Sequence, residues 1–253
     1  MDQFLTQIII GTAIGVGAGY IGSFMVLRRM SLVGDALSHV ALPGLALALL
    51  YHVNPFFGAF AALMIAVIGI WALERETSLS SETLVGIFFT TALALGILLT
   101  PQPELLEALF GDISKVAVSD LYLTLPLVAA MIIIVRAISR PLTLSTISKE
   151  LTQSMGIRIN VINFVFLLLV ALIVALGIKV TGTLLMGALV IIPAAAAKNI
   201  SLDLSRYTFL SAFFGGLAGL IGILIAYGYN LTPGPIVVLT GGVIFLASLA
   251  FKR

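Results

Sequence analysis

Long apolar runs alternate with short polar breaks from one end of the chain to the other, and that alternation leaves few folds open. A helix needs about 20 apolar residues to cross about 30 Å of hydrocarbon, where each backbone N–H and C=O must be paired within the segment. Nine runs approach this length, at about 4–27, 32–51, 56–73, 83–100, 121–138, 161–178, 183–197, 207–229 and 235–251. Of the 253 residues 60% are hydrophobic and 9% charged, whereas a soluble domain carries about 25% charged residues. The pattern predicts an all-α, polytopic transmembrane helix bundle of about nine segments, or eight if one fails to cross, forming a single domain over 1–253. No stretch is left for a separate soluble domain, so any soluble activity must come from a partner. The run at 183–197 is the shortest and holds Pro193, which makes it the expected place for a broken or re-entrant segment. The first run follows "MDQ", without the basic stretch of a secretory signal, and reads as a retained span.

Cytoplasmic loops collect Lys and Arg. With the N-terminus outside, Arg28, Arg29, Arg75, Arg136, Arg140, Lys149, Arg158, Lys198, Arg206, Lys252 and Arg253 fall inside, and only Lys115 and Lys179 fall outside. The net charge of +2 is too small to point to nucleic acid, and the absence of cysteine excludes thiolate metal ligands and disulfides. The outer loop carries Glu104, Glu107, Asp112 and Asp120 around Lys115. It reads as a cation-attracting mouth, as a docking surface or as a merely solvated loop.

One apolar run contains a carboxylate. In "SLVGDALSHVALPG", residues 31–44, Asp35 is the single acidic residue inside any of the nine runs and His39 the single histidine well inside one. An ionisable side chain at a membrane helix centre costs at least about 2.5 kcal/mol and marks a functional site by default. Positions i and i+4 share a helix face, so carboxylate and imidazole can meet one ion. Pro43 cannot donate to the carbonyl of His39, which predicts a helix break at the site. Two such chains across a twofold axis would offer two Asp and two His, a donor set for a divalent transition metal. A proton relay and a plain structural pair are the competing readings.

Glycines recur on two other runs, Gly11, Gly15, Gly19 and Gly22 on the first, Gly215, Gly219 and Gly222 on the eighth. Such stripes let helices approach closely, so helix packing is their expected role. No G-x-x-x-x-G-K-[ST] and no H-E-x-x-H occur, so the chain has neither a phosphate-cradling loop nor a zinc-protease motif of its own. Within the loop at about 139–160, Ile147, Leu151 and Met155 recur every four residues with Gly156 behind them, predicting a short amphipathic helix that needs a surface to lie on.

The stretches "GSFMVLRRMSLVGDALSHVALPG" (22–44), "HVNPFFGA" (52–59), "ETLVGI" (82–87), "LFGD" (109–112), "IKVTGTLLMGALVIIPAAAA" (178–197) and "TPGPIVVL" (232–239) come in an order that resembles one family. These are the membrane permeases of ATP-binding-cassette transporters that import zinc or manganese, with the zinc branch nearest in look. The resemblance covers nearly the whole chain. It implies a second copy of the permease, two cytoplasmic ATPase subunits that bind ATP, an extracytoplasmic metal-binding protein, and a place in the inner membrane of a prokaryote. It implies no permanently bound cofactor, the metal being cargo, zinc first and manganese or iron next, held in transit by Asp35 and His39. It assigns the segment at about 141–160, with Ile147, Glu150, Leu151, Met155 and Gly156, to coupling with the ATPase, although Ser148, Lys149 and Thr152 stand where relatives commonly show Asp, Pro and Ala. The rival reading from the residues alone is a proton-coupled secondary carrier without an ATPase.

Overall fold

The computed structural model describes residues 2–100, 108–111, 113 and 116–251. Among them no strand occurs, and the chain runs through α1 (Gln3–Leu27), α2 (Ser31–Val40), α3 (Leu42–Leu50), α4 (Pro55–Glu76), α5 (Ser81–Leu99), α6 (Val118–Ile147), α7 (Lys149–Ser154), α8 (Ile159–Ile200), α9 (Leu204–Tyr229) and α10 (Pro233–Leu249). Seven helices among the described residues are long and apolar enough to cross a membrane, taking Ser31–Leu50 as one. The expected count of about nine is corrected accordingly. Two runs, 161–178 and 183–197, are counted together as α8 although a break at Gly182 separates them, and the last run forms only the 17-residue α10.

α8 is interrupted at Gly182, whose φ of 74° and ψ of 172° no longer belong to a helix. Only glycine enters that region freely, because a Cβ would clash with its own backbone. On the N-terminal arm, Ile173 faces Gly17 and Val180 faces Gly11; on the C-terminal arm, Val190 faces Gly22. Both arms therefore descend along α1 from Gly182, and the chain reverses there. The break falls at Gly182 and not at Pro193, which sits buried inside the second arm. The turn is packed from outside by backbone: Gly182 abuts the Leu109 carbonyl and the Gly111 N–H, and a Cβ at Gly234 would lie 2.7 Å from the Phe110 oxygen and 2.9 Å from the Thr181 oxygen.

α1 packs most extensively against α9 and next against α8. Gly15 meets the backbone of Gly215, Gly19 meets the Ser211 carbonyl, and a Cβ at Gly219 would fall 2.6 Å from the Gly11 oxygen. The Ser211 hydroxyl donates across this contact to the Gly19 carbonyl at 2.5 Å. Gly22 and Gly222 serve other neighbours, Val190 and Val237. Ile14, Ile21, Phe24, Met131 and Phe166 fill the centre between α1, α6 and α8. α4, α5 and α6 turn Ile65, Leu98 and Ile133 outward, each at least 67% exposed, a surface suited to lipid rather than water.

Polar side chains cluster at the two ends. At the end assigned to the outside, Lys179 Nζ bonds Asp120 Oδ2 at 2.5 Å. At the other, Arg28 donates to Asn163 at 2.7 Å and stacks over Phe166, while Ser81 donates to Glu74 at 2.6 Å. Glu104, Glu107, Asp112 and Lys115, with Lys252 and Arg253, lie outside the described residues.

Candidate functional site

The run that carries Asp35 and His39 divides at Ala41, which keeps αR backbone (φ −71°, ψ −20°). α2 ends at Val40, Ala41 turns its N–H toward the His39 carbonyl, and α3 starts at Leu42 with Pro43 in its first turn, where a missing N–H costs nothing. α2 supplies the ten residues before that point, with Asp35 and His39 one turn apart on it.

His39 is buried at 8% exposure, its ring centroid 5.4 Å from that of Phe89 on α5. Its Nδ1 has no hydrogen-bond partner. A buried polar atom left unfilled carries the full cost of its desolvation, so an imidazole nitrogen in this condition suits a ligand that comes and goes. Asp35 is half-buried and lies directly on Gly187 of the second arm of α8: a Cβ at 187 would stand 2.6 Å from the Asp35 Cβ and 2.7 Å from its Oδ1. Between the pair, the buried Ser38 hydroxyl reaches the Asp35 carbonyl at 2.7 Å and the Thr183 carbonyl at 2.5 Å. The Thr183 hydroxyl is itself buried and unpartnered.

Among the described residues, no three His, Cys, Asp or Glu side chains gather closely enough to hold a metal ion. At α2 the described residues offer one carboxylate and one imidazole, half of a four-coordinate set. Two cavities flank α2. An apolar one of about 640 Å³ reaches Val40 and Pro43 between α3, α4 and α5, and a polar one of about 460 Å³ reaches Val33 beside Arg28, Glu74, Glu82 and Asn163. Asp35 and His39 lie on the stretch of helix between them.

The 141–160 segment departs from its expected form. Ile147 is the last residue of α6 and not part of the short helix, because Ser148 intervenes with extended backbone and caps α7 through the Leu151 N–H at 3.1 Å. α7 is only six residues long. Ile147, Leu151 and Met155 are nonetheless all more than half exposed. Ser148 also donates to Glu150 at 3.0 Å, and Gly156 closes the helix with φ +75° and its N–H on the Gln153 carbonyl at 2.9 Å.

Ser38, Phe89, Thr183 and Gly187, which pack around the pair, escaped the reading of the sequence. For Thr183 and Gly187 a signal existed, since both lie in the 178–197 stretch quoted above, but nothing in its apolar pattern ties it to Asp35.

A sequence model described as the ABC 3 transport family matches residues 1–252. The chain is 36% identical over 245 residues to the manganese import system permease protein ScaB of Streptococcus parasanguinis, covering 95% of this chain and 88% of that one. It is 33% identical over 239 residues to the high-affinity zinc uptake system membrane protein ZnuB of Haemophilus influenzae, covering 92% and 91%. The solved structure of PsaBC from Streptococcus pneumoniae in complex with Fab superposes with a TM-score of 0.85 at 33% identity, over 98% of this chain and 91% of that chain.

Proposed function

The chain belongs to the ABC 3 transport family, and from that premise we propose that it carries manganese or zinc across the bacterial plasma membrane as one of two identical permeases driven by separate ATPase subunits. It is a multi-pass membrane protein and a metal-uptake ABC permease. An extracytoplasmic binding protein delivers the ion, and Asp35 and His39 from two copies hold it in transit. The observation that carries this reading is the buried His39 Nδ1 without a partner, one turn from the half-buried Asp35. A carboxylate oxygen and an imidazole nitrogen accept zinc and manganese alike, and relatives at similar identity are named for each metal. The expectation of zinc before manganese therefore has no support in the donor set.

The mechanism of this reading is alternating access, in which the exposed Leu151 and Met155 pass the ATPase movement to the bundle and the pair faces first one side of the membrane and then the other. A weak, half-filled site suits a path in which the ion must leave again. The test is uptake of ⁵⁴Mn or ⁶⁵Zn into proteoliposomes holding permease, ATPase and binding protein. Uptake should stop when the ATPase carries a hydrolysis-dead Walker lysine substitution. Undiminished uptake with that variant would favour a proton-coupled carrier.

A further inference from the structure

α2 joins α3 through Ala41, itself in αR backbone, and contacts with neighbouring elements decide the direction in which Asp35 and His39 face. Three contacts along one side of α2 lead to the second arm of α8. Ser38 bonds the Thr183 carbonyl at 2.5 Å. Asp35 rests on Gly187, where a Cβ would stand 2.7 Å from the Asp35 Cα. A Cβ at Gly34 would find Val190 at 3.8 Å. The second contact is with backbone, so no rotamer change at Asp35 relieves it; the whole residue, and α2 with it, would have to shift.

We infer that the α8 arm following Gly182 fixes the rotation of α2, with Gly187 and Ser38 as positioning residues for the transit pair. Neither touches the ion. Gly187 supplies a notch into which the Asp35 backbone fits, and Ser38 fastens α2 to the arm between the two ligands. The inference rests on Asp35 and His39 holding the cargo, as proposed above, and it adds the element that aims them. Movement of the arm then turns the pair as a unit, without stretching the Asp35 to His39 separation that α2 itself maintains.

The experiment is a titration of ATPase activity in the reconstituted complex with Mn²⁺ or Zn²⁺ and the binding protein, read as basal rate, maximal rate and half-saturating metal concentration. Gly187→Ala should raise the half-saturating concentration by about tenfold, the scale on which supporting groups tune a metal site. Ser38→Ala, which removes the bond to Thr183 and the local one to the Asp35 carbonyl without adding bulk, should raise it by about threefold, as expected for a single hydrogen bond between membrane helices. Basal rate and assembly should stay at the wild-type level in both. Gly86→Ala, at a position with nothing within 4 Å of its Cβ, should match the wild type throughout. Wild-type half-saturation in both Gly187→Ala and Ser38→Ala overturns the inference, as does a parallel fall of basal rate, which would mark a purely structural role. Should Gly187→Ala fail to assemble, Ser38→Ala decides alone. Asp35→Ala in the same titration separates the two levels: if it too responds normally to metal, the transit site itself is wrong, whereas a dead Asp35→Ala beside normal positioning variants sinks only this inference.

Discussion

Lys179 and Asp120 bond at 2.5 Å across 59 positions of sequence, joining the start of α6 to the first arm of α8 just before its break. The Asp120 carboxylate also accepts the Ala117 N–H at 2.8 Å. Removing the aspartate therefore breaks two contacts and removing the lysine one. In thermal unfolding of the detergent-solubilised protein, Lys179→Ala should cost about 1 kcal/mol and Asp120→Ala about 2 kcal/mol. A double-mutant cycle should return a coupling of about 1 kcal/mol, and a coupling near zero would show that the pair is not made.

Asp35→Ala and His39→Ala should each bring metal uptake in proteoliposomes down to the level of vesicles without the complex, while the protein still purifies with its partners. Each substitution leaves the other member of the pair in place in the span, and the unfolding midpoint should stay close to that of the wild type. Uptake at the wild-type rate by both variants would return the pair to a packing role.

Gly15→Ala tests the α1–α9 contact, because the new Cβ would press on the backbone of Gly215. Overpacking of this kind costs about 1–3 kcal/mol, so the unfolding midpoint should fall by several degrees. Gly242→Ala, facing open space, should stay within about 0.5 kcal/mol of the wild type.

Leu151→Asp and Met155→Asp place charge on side chains that are 52% and 60% exposed. The isolated permease should unfold within about 0.5 kcal/mol of the wild type. Copurification of the ATPase should be lost, and retention of the ATPase by both variants would remove this segment from the coupling surface.

Asp35 and His39 were legible in the sequence because membrane spans seldom tolerate a carboxylate, and a spacing of four puts both side chains on one face. Pro43 likewise marks the place where α2 gives way to α3. The reversal at Gly182 was not legible, since Pro193 in the same stretch offered the louder signal and a glycine in an apolar run does not declare its φ. Ile147 misled for a related reason: a period of four continues across Ser148, although the helix does not. Gly187 could not be matched to Asp35 from pattern alone, because the two positions meet through a reversal of the chain that hydropathy does not record.

The meeting of Gly111, Gly182 and Gly234 at the head of α8 is a joint without cushioning. Side chains elsewhere in the bundle can swivel and soak up a displacement of an ångström; main chain laid on main chain cannot. Thr183, whose carbonyl accepts from Ser38, stands one residue past the joint, so main chain and one hydrogen bond are all that lie between residues 108–111 and the helix of the transit pair.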